Sequence, residues 1–268
     1  MGQRLAVFMV CALAIALSAR LAAQSGRAST TEAALEYFAT HTDEAIDTFL
    51  TRLRPAPLAA AACGRVIAGL PKEGELQPSR SEVKKITEAE RILEYSARKG
   101  VITVKVIDLP HAFVGLYDRA VLLASRHALT LVSEEEFAAL VAHEVAHEYV
   151  WAEYAVAIQR FDHKRMRQLE LHCDGIAVLA LRRVGIDPER LVSAVQMLTR
   201  FNRFREATEN RTDYVPLKER VTFIRAVAKL PWRTGQSPAK RRVGSRRRSS
   251  IARRGGVCRL CAPIPPIS

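Results

Sequence analysis

Apolar residues recur at helical spacing through most of this chain, most clearly in SEEEFAALVAHEVAHEYVWAEYAVAI, residues 133 to 158. Ser133 followed by Glu136 makes a capping box, and three acids occupy the first turn, where the helix dipole favours negative charge. A long helix is predicted there. A second helix, MRQLELHCDGIAVLALRRVG, ends at Gly185 ahead of a turn through Asp187 and Pro188. Residues 28–54 read as one helix that stops before Pro55 and Pro57. Residues 79–100 read as another, with Val83, Ile86, Ile92 and Leu93 at three- and four-residue steps and Gly100 as the stop. Further helices are expected at 188–207 and around 216–229, while the Gly- and Pro-containing stretch from 55 to about 79 carries no clear period. Only VITVKVID, 101–108, and RAVLLAS, 119–125, have the β-branched, strand-like composition. The pattern predicts an α+β fold, mainly helical, with a small β-sheet.

The two ends differ from this middle. Arg4 is followed by thirteen apolar residues, Leu5 to Leu17, and then by small residues from Ala22 to Gly26. That is the layout of a secretory signal peptide and is short for a bilayer span. An exported protein, periplasmic or secreted, is therefore expected, with an uncleaved N-terminal anchor as the alternative. The net charge of +13 would suggest a nucleic-acid binder, yet ten of the Lys and Arg residues lie from Arg233 onward with no acid among them. Basicity belongs to an appendage without apolar periodicity, read as disordered, and nucleic acid is not an expected partner; a weak contact with an anionic surface is. The organisation is then 1–24 signal peptide, 25–98 N-terminal helical region, 99–232 main domain and 233–268 Arg-rich tail. The four cysteines beyond the signal, Cys63, Cys173, Cys258 and Cys261, are too few for a disulfide scaffold of this length.

The candidate chemistry sits in the longest helix. His143 and His147 are four residues apart and so share one face, where two imidazoles can meet one metal ion. Glu144 lies about 100° further round, placed to take a proton from water without ligating the ion. Catalytic zinc takes three protein ligands and keeps one position open. HExxHxxGxxH is excluded, because residue 150 is Val and residue 153 is Glu. The next helix offers Glu170 as third ligand and, one turn on, Asp174 to bind the second ring nitrogen of a ligand histidine. Two acids on so apolar a helix need partners, since burying them unpaired would be costly. His172 points away from Glu170 and reads as structural or exposed, and Cys173 as a packing residue; His41, His111, His127 and His163 have no partner in the pattern.

With HEVAH on one helix and ELHCD on the next, the chain resembles the zinc metallopeptidase family that includes the heat-shock protease HtpX and the CAAX prenyl endopeptidases. These are gluzincins with HExxH followed by ExxxD. The likeness covers about residues 105–230, through LPHAFVGLYDRAVLLASRHALTLVSEEEFAALVAHEVAHEY and LELHCDGIAVLALRRVGIDPERLVSAVQML. The resemblance implies a zincin-like core, one Zn2+ per chain held by His143, His147 and Glu170, and Glu144 as catalytic base. It also implies a polypeptide substrate laid along RAVLLAS as the edge strand ahead of the zinc helix. Where the family often carries His-Pro and then Arg, this chain has Val215-Pro216 with Arg220 kept, leaving Tyr214 as the candidate for transition-state support. The function expected is an exported zinc endopeptidase acting on unfolded or misassembled proteins. The alternative is a zinc-binding, catalytically weak, chaperone-like or scaffold protein of the same fold.

Overall fold

The structure, a computed structural model, describes residues 29–204 and 215–233. The signal segment, Tyr214 and the Arg-rich tail after Arg233 lie outside the described residues. In chain order the elements are α1 (Thr30–Ala39), α2 (Ile46–Leu53), α3 (Ala60–Gly69), β1 (Glu75–Leu76), α4 (Arg80–Tyr95), β2 (Thr103–Ile107), β3 (Val114–Tyr117), β4 (Val121–Ser125), α5 (Arg126–Leu131), α6 (Glu134–Gln159), α7 (His163–Val184), α8 (Glu189–Phe204) and α9 (Leu217–Lys229). The fold is α+β, mainly helical, with one small mixed sheet.

Three helices start with the same reciprocal cap. Ser29 with Glu32, Ser79 with Glu82 and Ser133 with Glu136 each exchange side chain-to-backbone hydrogen bonds. Each box satisfies N–H groups that a first helical turn leaves without partners. α7 ends at Gly185, whose φ of 76° costs glycine little.

The helix expected over 28–54 is two helices. The Thr40 and Thr42 hydroxyls donate to the carbonyls of Tyr37 and Ala39 and divert the backbone at that point. α3 and α5 are additions to the expected set. α3 buries only Cys63 and carries small residues, so it has no apolar stripe to read. α5 is six residues long.

The sheet corrects the expected edge. Its strand order is β1-β2-β4-β3, with β2 and β4 parallel and the outer pairs antiparallel. RAVLLAS thus forms β4, an interior strand paired on both sides, and the edge nearest the HEVAH helix is β3, in VGLY. The uninterrupted apolar run of β4 is what burial on both faces selects. β3 leaves little trace in the sequence because it has four residues, one of them Gly115, and no alternation.

Helix α6 lies along α7 for much of its length and is flanked by α4 and α8. One core runs from Ala34 and Phe38 of α1 to Phe223 of α9 and Trp232, so α1, α2 and α6–α9 share an interior, while Cys63 of α3 packs with Ala120 and Val121 in a smaller cluster. α1 approaches α7 closely: a Cβ added at Gly175 would lie 2.2 Å from Cζ of the buried Phe38. No helix among the described residues is long and apolar enough to cross a membrane.

Candidate metal centre

His143, Glu144 and His147 each offer one ligand atom, all within 4.8 Å of one another, so this group of α6 could hold a metal ion. The imidazoles stand at 89° with centroids 5.1 Å apart, the consequence of one helical turn between them. Glu170, presented by α7, spans both rings: Oε2 lies 3.5 Å from Nε2 of His143 and Oε1 lies 3.8 Å from Nε2 of His147. Nδ1 of His143 faces Oδ1 of Asp174 at 2.9 Å. The i, i+4 spacing of Glu170 and Asp174 therefore serves the two ring nitrogens of one histidine from a single helix face.

Asp174 is fully buried and is held in a fork by Arg220, with Nε and Nη2 each donating at 2.8 Å. Arg220 Nη2 also approaches His143, at 3.1 Å from Nδ1 and 3.3 Å from Nε2. Burial and the guanidinium both oppose a proton on His143, but the carboxylates of Asp174 and Glu170 outweigh them and push its pKa up to about 9. Burial would raise Glu170, yet the two histidines and Arg220 hold it far below the usual carboxylate range. Burial likewise opposes ionisation of Asp174, and Arg220 and His143 reverse that. Three carboxylates, Glu144, Glu170 and Asp174, outnumber the Arg220 guanidinium and a protonated His143, so the site favours added positive charge, and an ion bound there would take the place of the His143 proton. Two imidazole nitrogens and a carboxylate oxygen form a donor set that zinc accepts, so the residues fit such an ion.

Glu144 is fixed from the sheet. The backbone N–H of Leu116 in β3 donates to its Oε2 at 3.1 Å. Ser125 N–H donates to Phe113 O, and the antiparallel register pairs Gly115 with Leu123, so Val114 and Leu116 direct their backbone groups to the open side of β3.

Two features of the centre go beyond the sequence reading. Tyr154 donates its hydroxyl to Glu170 Oε1 at 2.9 Å and packs edge-on against His147. It lies seven residues after His147, two turns along the same face, and that spacing is a readable signal. The second is a buried ion triad beside the site. Glu148, adjacent to His147 on α6, binds Arg98 with Oε2 and Arg119 with Oε1, and both Glu148 and Arg98 are buried. Arg98 also donates to the carbonyl of Pro55, and Arg119 to that of Ala56. Arg119 belongs to the β3–β4 turn, where Asp118 and Arg119 take positive φ of 45° and 59°. The triad thus ties the end of the edge strand to the helix that carries the histidines.

Among the other candidates, Cys173 is fully buried and packed, its thiol pKa raised by burial and by the neighbouring acids. His172 stacks on Tyr37 with centroids 4.7 Å apart, away from Glu170, and burial lowers its pKa to about 4. It helps line a cleft of about 520 Å³ with Tyr149 and Arg165, and neither His143 nor His147 lines that cleft. Val215, directly before Pro216, is buried. Compared with family models and with curated proteins, the chain matches none.

Proposed function

We propose that this chain is an exported zinc-dependent endopeptidase that hydrolyses peptide bonds in unfolded or misassembled proteins. One observation carries the reading: two imidazoles of α6 and a carboxylate of α7 converge beside a fourth group, Glu144, anchored by an edge strand. His143, His147 and Glu170 would hold the ion. When bound, zinc polarises a peptide carbonyl and acidifies a water molecule. Glu144 accepts the proton of the attacking water and returns it to the departing amine. The Leu116 N–H orients Glu144, Asp174 orients His143, and Arg220 keeps Asp174 ionised. The open side of β3 suits an extended peptide added as a further strand. Arg4 and the apolar run to Leu17 support export.

A weaker catalyst that holds zinc as a chaperone-like or scaffold protein is the second reading, favoured by Val215 in place of a histidine. Elemental analysis of the purified protein, parent beside Glu170→Ala, tests the centre; one zinc per chain in the parent and a sharp loss in the variant are expected. Casein digestion with a chelator control tests the activity. Glu144→Gln should keep the zinc and lose digestion. A parent that holds zinc and cleaves nothing would favour the second reading. A parent that takes up no zinc would end both.

A further inference from the structure

Half of the large apolar side chains that stand exposed in the described residues crowd into six positions at one end of the α6–α7 hairpin. Val156 is 45% exposed, Ile158 49% and Phe161 79%, with only Ala157 between them buried. Phe161 occupies the turn itself and takes a φ of 52°, a conformation that glycine or asparagine would adopt more cheaply. Nothing in the described fold receives its ring. The neighbouring charge is basic: Arg160 and Lys164 are exposed and form no ion pair among the described residues. Asp162, the one acid of the turn, accepts the α7 backbone N–H of Arg165 as its cap. Arg165 lies lower on the hairpin and is paired with Glu153.

The arrangement of these groups decides what covers them. Val156 and Ile158 are two residues apart, about 200° round α6, so they project to opposite sides of the hairpin while Phe161 closes its end. A groove on a folded partner would cover one face. A lipid interface surrounds a tip on every side and draws basic residues to its phosphates.

We propose that the tip of the α6–α7 hairpin is an anionic-membrane docking site, with Phe161 as the inserted wedge and Arg160 and Lys164 against the headgroups. The association is peripheral and is independent of the peptidase reading. Phe161 lies fourteen positions on from His147, so at 1.5 Å per residue the metal centre would stand ~20 Å from the lipid.

Full-length protein is mixed with vesicles of phosphatidylcholine containing phosphatidylglycerol, and with phosphatidylcholine alone, at low and at high salt. Two variants at this exposed position separate the tip from the Arg-rich tail, which can bind anionic vesicles by charge alone. Phe161→Trp is expected to shift its emission to the blue on the anionic vesicles and to be quenched by brominated lipid, read against the parent with its own Trp151 and Trp232. Phe161→Ser is expected to weaken binding about tenfold with the tail intact, the worth of one buried aromatic side chain. The proposal is overturned if no vesicle binds, if Phe161→Ser binds as the parent does, or if the introduced tryptophan is unquenched while the protein is bound. An unquenched indole in Phe161→Trp that a partner protein shields would reassign the tip to that protein.

Discussion

Replacing Glu148 by alanine should be among the most damaging single changes in this chain, although Glu148 is not one of the proposed ligands. Its carboxylate is completely buried and its two oxygens are divided between Arg98, 1% exposed, and Arg119, 20% exposed. Removing it leaves the Arg98 guanidinium in the interior with only carbonyls for company: Pro55 at 2.8 Å, Ala97 at 3.2 Å and Ser96 at 3.4 Å. Breaking a buried pair from one side costs about 3–5 kcal/mol, most of it the uncompensated charge. The three remaining acceptors place Arg98 at the low end, and the wetter Arg119 contributes less than about 1 kcal/mol. The sum is ~3 kcal/mol, a drop of roughly 6–12 °C in Tm for a chain of this size. Urea titration and thermal melts followed by circular dichroism read it directly. Arg98→Met combined with Glu148→Leu should recover most of the loss, because an apolar pair needs no compensating charge. A loss below ~1 kcal/mol in Glu148→Ala, or a double variant no better than the single one, would refute the reasoning.

Arg119→Ala frees the β3–β4 turn from α6, so kcat/KM should fall about tenfold with zinc content unchanged; zinc lost in parallel with activity would mean the turn supports the ligands instead. Gly175→Ala forces a methyl into the Phe38 ring and should cost about 1–3 kcal/mol in urea titration, with Phe38→Leu in the same chain relieving part of it. Acid should weaken the helix starts in a defined window. Burial favours the neutral form of Glu82 and Glu136, but hydrogen bonds from Ser79 and Ser133 prevail and lower both below the ordinary 4.5. A lowered folded pKa means stability that is present above pH 4.5 and lost as pH falls through the folded value. Glu82→Gln with Glu136→Gln, which removes the titrating groups and keeps the serines, should therefore flatten the pH dependence of Tm below 4.5, and an unchanged slope would count against the caps.

The long helices and the closeness of His143 and His147 were legible because periodicity and fixed offsets are local properties. α6 and α7 announce themselves through a capping box, a terminal glycine and apolar residues at regular steps, and HEVAH needs only the geometry of one turn. The sheet order was not legible. Whether VLLAS lies inside or at the edge depends on β3, four residues with a glycine among them, too short and too irregular to mark itself as a strand although it adjoins β4 in sequence. Arg98, Glu148 and Arg119 read as ordinary surface charges because 50 and 29 residues separate the acid from its partners. α3, rich in alanine and with one buried residue, has helix propensity but no face.

The shortness of β3 bears on solubility as well. An exposed strand edge is a template on which a second copy can add itself, and proteins blunt such edges by making them brief or by covering them. Here the outer rim offers the backbone groups of two residues, Val114 and Leu116, and a glutamate already occupies the Leu116 N–H. On the proposed reading, a single extended peptide adds there only for the time a reaction takes. A ribbon of identical molecules joined edge to edge has too few contacts to propagate, so this rim can stay open without becoming a seed for aggregation.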